Sequence, residues 1–173
     1  MKLIESKTLV SAAFAIEFTS IPQTFTDLVL VVSARHSGND NGLSIQFNGS
    51  TANITQRHLF GTGSAAGSFS NYFTQVGLSV RTVDTSNTFS SNTIYIPNYT
   101  ASVAKSYSGD GVNENNGTAA WQLITAGLFN STSAITSLSV NGQATSGGNE
   151  LQIGTTASLY GILKGSDGIT VVS

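Results

Sequence analysis

The chain contains no cysteine, so neither a disulfide nor a thiolate metal site can hold its fold. Charge is scarce as well: Asp, Glu, Lys and Arg supply only 9% of the 173 residues, far below the usual ~25%. The seven Lys and Arg stand singly between Lys2 and Lys164, and the net charge is −2. Neutralising phosphates takes a basic stripe, so no nucleic-acid partner is expected. Long apolar runs are missing too. The opening MKLIESKTLVSAAFAIEF is broken by Glu5, Lys7 and Glu17, too interrupted for a signal peptide and too short for a membrane span. The expectation is synthesis in the cytoplasm, no membrane partner, and a final location reached by assembly rather than secretion.

Ser, Thr, Asn and Gly fill the space that charge leaves, and Val, Ile and Thr are abundant. Disordered chains are rich in charge and poor in β-branched residues, so a folded, turn-rich β-protein is expected. The length suits a single domain, residues 1–173, with a real core.

Strand signals recur along the chain. Ile16, Phe18 and Ser20 share one face of a period-2 pattern, which Ile21-Pro22 ends because proline lacks a ladder donor. Thr24 to Asp27 turn the chain, and Leu28 to Val32 read as a strand buried on both faces. Leu43 to Phe47 alternate cleanly, and Asn48-Gly49 gives a hairpin signal. Ile54 to Phe60, Thr93 to Ile96, Lys105 to Ser108, Ala134 to Val140 and Ser158 to Leu163 read as further strands. The apolar spacing of Gln122 to Phe129 fits helix or strand, and β-branched Ile124-Thr125 with Gly127 favours strand. A helical turn at Ser131 to Ala134 is an open alternative locally. Residues 61–92 read as a variable insertion with a short strand near Gly77 to Val80. The fold class is all-β, an antiparallel jelly-roll-like sandwich. Its expected core is Ile16, Phe18, Leu28, Leu30, Val32, Ile45, Phe47, Ile94, Ile96, Leu138, Val140, Leu159 and Ile162.

The sequence carries no recognisable catalytic pattern. His36 and His58 have no partner at ligand spacing, so each is expected as a surface or satisfied histidine, with no metal and no cofactor. Gly61 to Gly67 look like a phosphate loop, yet the spacing is not GxGxxG and no helix follows, so a flexible loop is expected. There is no GxSxG elbow and no carboxylate pair close in sequence. An enzyme would have to draw on Asp110, Glu114 or His58, and no enzyme is expected. Asp110 to Gly117 is the one oxygen-rich loop where a hard cation would find ligands, with a solvated turn as the plainer reading. Asn-x-Ser/Thr triplets occur at Asn48, Asn53, Asn98, Asn116 and Asn130 and are read as unglycosylated. Phe14, Phe18, Phe25, Phe47, Tyr95, Tyr99, Tyr107, Trp121 and Tyr160 mostly fall on inward positions. Tyr72 and Phe73 lie outside any clear strand and are candidate exposed contacts.

Four segments carry a resemblance. They are the Ile16 to Arg35 stretch, Ile45-Gln46-Phe47-Asn48-Gly49-Ser50, Ile94-Tyr95-Ile96-Pro97-Asn98-Tyr99, and Ala157-Ser158-Leu159-Tyr160-Gly161-Ile162. Together they resemble β-sandwich structural proteins of tailed-bacteriophage virions, namely capsid decoration (cement) proteins and tail-fibre modules. The likeness runs from about Lys2 to Gly165 and weakens at 61–92. It rests on strand and turn patterns and brings no catalytic residue with it. What the resemblance implies is a non-enzymatic virion structural protein, most simply a decoration protein stabilising the head. The major capsid protein or another virion protein would be its partner. The alternative is a tail-associated or receptor-binding module that takes host glycan. The chain has no heptad or collagen-like segment of the kind that trimerises fibres, which favours the head. A homo-oligomer follows from capsid symmetry, a trimer by preference and a dimer otherwise. Met1 to Thr8, residues 61–92 and the tail 166–173 are left free for contacts. In that tail, Ile169, Val171 and Val172 are the candidate interface residues, adding a strand to a neighbour's edge.

Overall fold

Period-2 alternation of apolar and polar residues becomes a period-2 alternation of buried and exposed ones. In β3, DLVLVVS, Leu28, Leu30 and Val32 are buried while Val31 faces solvent. The computed structural model describes residues 1–70, 74–116, 120–143 and 149–163. Among them the strands are β1 (Lys2–Thr8), β2 (Ala15–Phe18), β3 (Asp27–Ser33), β4 (Arg35–His36), β5 (Gly42–Phe47), β6 (Ile54–Gly61) and β7 (Ala66–Ser70). They continue with β8 (Gln75–Leu78), β9 (Val80–Arg81), β10 (Ser91–Ile96), β11 (Lys105–Val112), β12 (Gln122–Phe129), β13 (Leu138–Gly142) and β14 (Thr156–Ile162).

Two antiparallel sheets face each other, one ordered β1-β14-β3-β10-β11-β12-β6-β7 and the other β2-β13-β5-β8. A short parallel pair, β4 with β9, joins their margin. If the β10-β11-β12 meander counts as one unit, the facing sheets read β2-β13-β5-β8 and β3-meander-β6-β7. The chain crosses between sheets at every step except the β6–β7 hairpin. That is jelly-roll order, with β14 and β1 added beyond β3. The protein is a single-domain, all-β sandwich.

Twelve of the thirteen expected core residues are buried; Ile162, at the end of β14, is half-buried. Phe47 sits at the centre, its ring 5.3 Å from Tyr107 and 5.2 Å from Phe129. The Tyr107 hydroxyl meets the Gln56 amide at 2.8 Å, and its ring lies over Gly127, where a Cβ would fall 2.1 Å from it. The sheets come closest at β8. Its backbone rests on Gly109 and Gly111 of β11, where added Cβ atoms would lie 2.3 Å from the Val76 carbonyl and 3.0 Å from the Leu78 nitrogen. Asn92 of β10, 1% exposed, reaches across: its Oδ1 accepts from Leu78 N at 2.7 Å, and its Nδ2 donates to the Leu78 carbonyl at 2.9 Å. An edge strand shows unpaired backbone groups, and this one amide takes both of Leu78's.

Asparagine also makes the turns. Asn48, Asn53, Asn98 and Asn116, four of the five triplet asparagines, have positive φ of 49 to 63°. Asparagine tolerates that region better than other side chains, so turn geometry accounts for them. Asn48 and Gly49 form the expected two-residue turn, closed by paired Phe47 and Ser50 backbone bonds of 3.1 and 3.0 Å.

Several expectations change. Leu28 to Val32 is buried on one face, because the described residues cover only one side of the large sheet. Residues 61–92 are integral: they carry β7, β8 and β9, and Val76, Leu78 and Val80 are fully buried. Gly61 to Gly67 is a hairpin turn closed by Thr62 N to the Ala65 carbonyl at 2.9 Å, not a flexible loop. Met1 to Thr8 is not free, since β1 pairs with β14. Ser131 to Ala134 form bends without a helix, held by the buried Lys105 ammonium, which donates to the carbonyls of Ser131 and Ser133. The tail 166–173, with Ile169, Val171 and Val172, lies outside the described residues, as do Tyr72 and Phe73.

Among the described residues no element packs on the outer face of the large sheet. One row of register crosses all eight strands through Ser6, Ser158, Val31, Thr93, Asp110, Ile124, Leu59 and Ser68. The next row crosses through Leu3, Tyr160, Val29, Tyr95, Ser108, Ala126, Arg57 and Ser70. Each row holds a single charge.

Candidate functional site

The large sheet is wider than the small one. The edge strand β8 packs over β10, β11 and β12, and β6 and β7 continue past it. Their inner face carries an aromatic ladder. His58 stacks on Phe69 at 4.4 Å, Phe69 lies 6.0 Å from Phe60, and Phe60 stacks on Trp121 at 4.8 Å. In a fully covered sheet these rings would be core. At the overhang, Phe60, Phe69 and Trp121 remain half-exposed.

Beyond the β8 edge this overhang forms one wall of a cleft of about 530 Å³, within the usual range for a ligand site. Phe69, Ser70 and Trp121 line it from the large sheet. Asn39, Asp40 and Asn41 come from the loop before β5, Gln75 from β8, Arg81 from β9, and Gln143 from just after β13. Arg81 is held rigid: its Nη2 and Nε reach the Asp84 carboxylate at 2.7 and 3.1 Å, and its Nη1 donates to the Asn39 carbonyl at 3.1 Å. The hydrogen bond with Asp84 raises the Arg81 pKa. Burial pushes the Asp84 carboxyl up, but Arg81's bonds and charge outweigh it, and the net shift is downward. Gln143 is 1% exposed, yet neither its Oε1 nor its Nε2 finds a partner within the protein. Nearly all buried polar atoms are paired, and leaving such a group unpaired costs about 1–3 kcal/mol.

Neither histidine lies on the surface. His58 is 1% exposed with Nδ1 3.0 Å from Thr125 Oγ1, and burial lowers its pKa to about 4. His36 is fully buried, and burial lowers its pKa although backbone groups of Val80 and Asp40 pull the other way. Among the described residues no three His, Cys, Asp or Glu gather as metal ligands. The oxygen-rich stretch divides: Asp110 sits in β11 on the outer face, while Glu114 Oε1 accepts from Asn116 N at 2.8 Å. Gly117 lies outside the described residues.

The cleft is drawn from described residues alone, and the expected contact residues Tyr72, Phe73, Ile169, Val171 and Val172 lie outside them. Its own residues went unnoticed in the sequence because they come from six separate segments. One signal was available. The only tryptophan of the chain sits at the mouth of a strand beside a Gly/Asn-rich loop, a wasteful place for a core residue. The class the geometry defines is a jelly-roll β-sandwich with an open sheet face and an amide-lined cleft. No protein family, curated protein or solved structure matches the chain.

Proposed function

We propose that the chain is a non-enzymatic structural protein of a phage virion, a decoration protein that seats on the assembled head and stabilises it. The resemblance of its strand and turn segments supplies the class, and the outer face of the large sheet carries the reading. Seven interstrand spacings of ~4.8 Å by about five residues of ~3.3 Å give a face on the order of 600 Å². A standard interface takes ~800 Å² per partner, so this face would supply the larger part of a capsid contact and the rest would come from its margins. Val31, Leu59 and Ile124 are 41, 62 and 51% exposed on it, among hydroxyls and with one charge per row. Contacts of that composition are screened weakly by salt, which suits a particle that persists outside a cell. The protein works as a homo-oligomer, a trimer at three-fold junctions in preference to a dimer.

Charged substitutions on the face test this. Val31→Lys with Ile124→Lys changes exposed positions, so the fold should tolerate both. Occupancy on purified heads should fall at least tenfold. Unchanged occupancy would remove the face from the account. Loss of self-association in solution with occupancy intact would assign the face to a second copy instead.

A second reading, a tail-associated or receptor-binding module taking host carbohydrate, has one observation in its favour: the aromatic and amide lining of the cleft.

A further inference from the structure

We propose that the cleft beside the β8 edge is a binding site for a neutral saccharide, with Trp121 and Phe69 as its apolar walls and Gln143 as its buried polar reader. The inference takes its biological setting from the second reading above, but it stands on the cleft itself.

A pyranose offers two kinds of surface. Its ring carbons present an apolar C–H face, which packs on an aromatic ring, and its hydroxyls each donate and accept. Planar amides and carboxylates answer a pair of such hydroxyls, because an amide holds a donor and an acceptor side by side. The cleft combines both kinds of wall. Trp121 and Phe69 are half-exposed and fixed by stacking on Phe60 and His58, so little freedom is lost when they bind. Asn39, Asn41 and Gln75 add amides, and Ser70 adds a hydroxyl.

Charge decides against an anionic ligand. Among the described residues Arg81 is the only cation lining the cleft, and Asp84 and the Asn39 carbonyl already engage its guanidinium. Asp40 stands on the same wall. A phosphate or an acidic sugar would meet a site whose positive charge is matched.

Gln143 is the independent observation. Both ends of its amide are buried and unpaired within the protein, although it lines the cleft. His36, His58, Asn115 and Asn141 also carry buried unpaired atoms, but among the described residues Gln143 is the one of this group that lines the cleft. A ligand hydroxyl that donates to Oε1 and a second that accepts from Nε2 would complete it. Binding residues are often retained at a cost in stability, and that trade-off gives the test its leverage.

The chain has one tryptophan, and it lines both this cleft and a neighbouring hollow beside Gly61 to Gly63, so tryptophan emission reports binding and the Gln143 and Phe69 variants assign it to the cleft. The probes are cellobiose, maltose, lactose, chitobiose and mannobiose, with sialyllactose and inorganic phosphate as charged controls. At least one neutral disaccharide should give a saturable change with a Kd of about 1 mM or tighter. Gln143→Met should weaken that affinity at least tenfold while leaving the melting temperature unchanged or higher. Phe69→Ala should weaken it about fivefold or more. No saturable response to any neutral probe overturns the proposal, as does an affinity within twofold of the original in Gln143→Met. So does a response to the charged controls alone. If Gln143→Met unfolds, the amide is structural, and an unweakened Asn41→Ala variant would then end the proposal. Failure here leaves the virion assignment standing. A protein that binds sugar but is missing from the virion leaves the cleft standing and removes the virion assignment.

Discussion

Replacing Asn92 with alanine removes one buried side chain and the hydrogen bonds it makes from one sheet to the other. The Asn92 amide accepts from Leu78 N at 2.7 Å and donates to the Leu78 carbonyl at 2.9 Å, the Val32 carbonyl at 3.2 Å and Ser90 Oγ at 3.0 Å. An added Cβ at Gly77 or Gly111 would fall 2.3 or 2.5 Å from Asn92 Oδ1, so glycine on both strands makes room for this amide. Without it the Leu78 N–H and C=O stay buried, and each unpaired group costs about 1–3 kcal/mol. With the lost volume, the total should be about 3–5 kcal/mol, a large part of the 5–15 kcal/mol expected of a domain. At this chain length that lowers the melting temperature by roughly 6–20 °C. Asn92→Asp should do no better, since a carboxylate would face the Val32 and Leu78 carbonyls. The neighbouring exposed Thr93→Ala is the control, within about 0.5 kcal/mol. Urea denaturation should move the midpoint at constant m-value, and hydrogen exchange at Leu78 should accelerate. A loss below about 1 kcal/mol for Asn92→Ala would refute the idea that this amide ties the sheets together.

Phe47→Ala empties the meeting point of the Tyr107 and Phe129 rings and should cost about 3–5 kcal/mol in the same assay. The pH profile follows from His58. Its folded pKa of about 4 lies below the ~6.5 of an unfolded histidine, so only the unfolded chain takes the proton between those values. Stability should be full above pH ~6.5 and should fall by up to about 3 kcal/mol towards pH ~4. His36, shifted in the same direction, adds to the loss. His58→Gln should flatten the profile, and an unchanged acid slope would place its origin elsewhere.

Alternation in the sequence was enough to find the central strands. Ile45 and Phe47, Ile94 and Ile96, and Leu138 and Val140 all point inward as their spacing implies. The same spacing stopped β11 too early, at Ser108. Its remaining inner positions are Gly109 and Gly111, kept small because the β8 backbone lies on them, and glycine gives no apolar signal. Strand β7, AGSFS, was missed because it overhangs and has no core to fill except through Phe69. Edge strand β1 looks like a free arm in the sequence because, as an edge strand with most of its residues exposed, it carries little apolar alternation. Asn92 was invisible as core, since an asparagine earns burial only through partners that topology supplies. The cleft was less legible still: it arises where one sheet outruns the other, a fact of strand order that no local pattern carries.

The proposed virion assignment is tested most directly by quantitative mass spectrometry of purified phage particles from the source of the chain. A decoration protein repeating with the shell's symmetry should be present in hundreds of copies per particle, in fixed ratio to the major capsid protein. A few dozen copies or fewer would move it to the tail, and its absence from washed particles would contradict the virion assignment altogether.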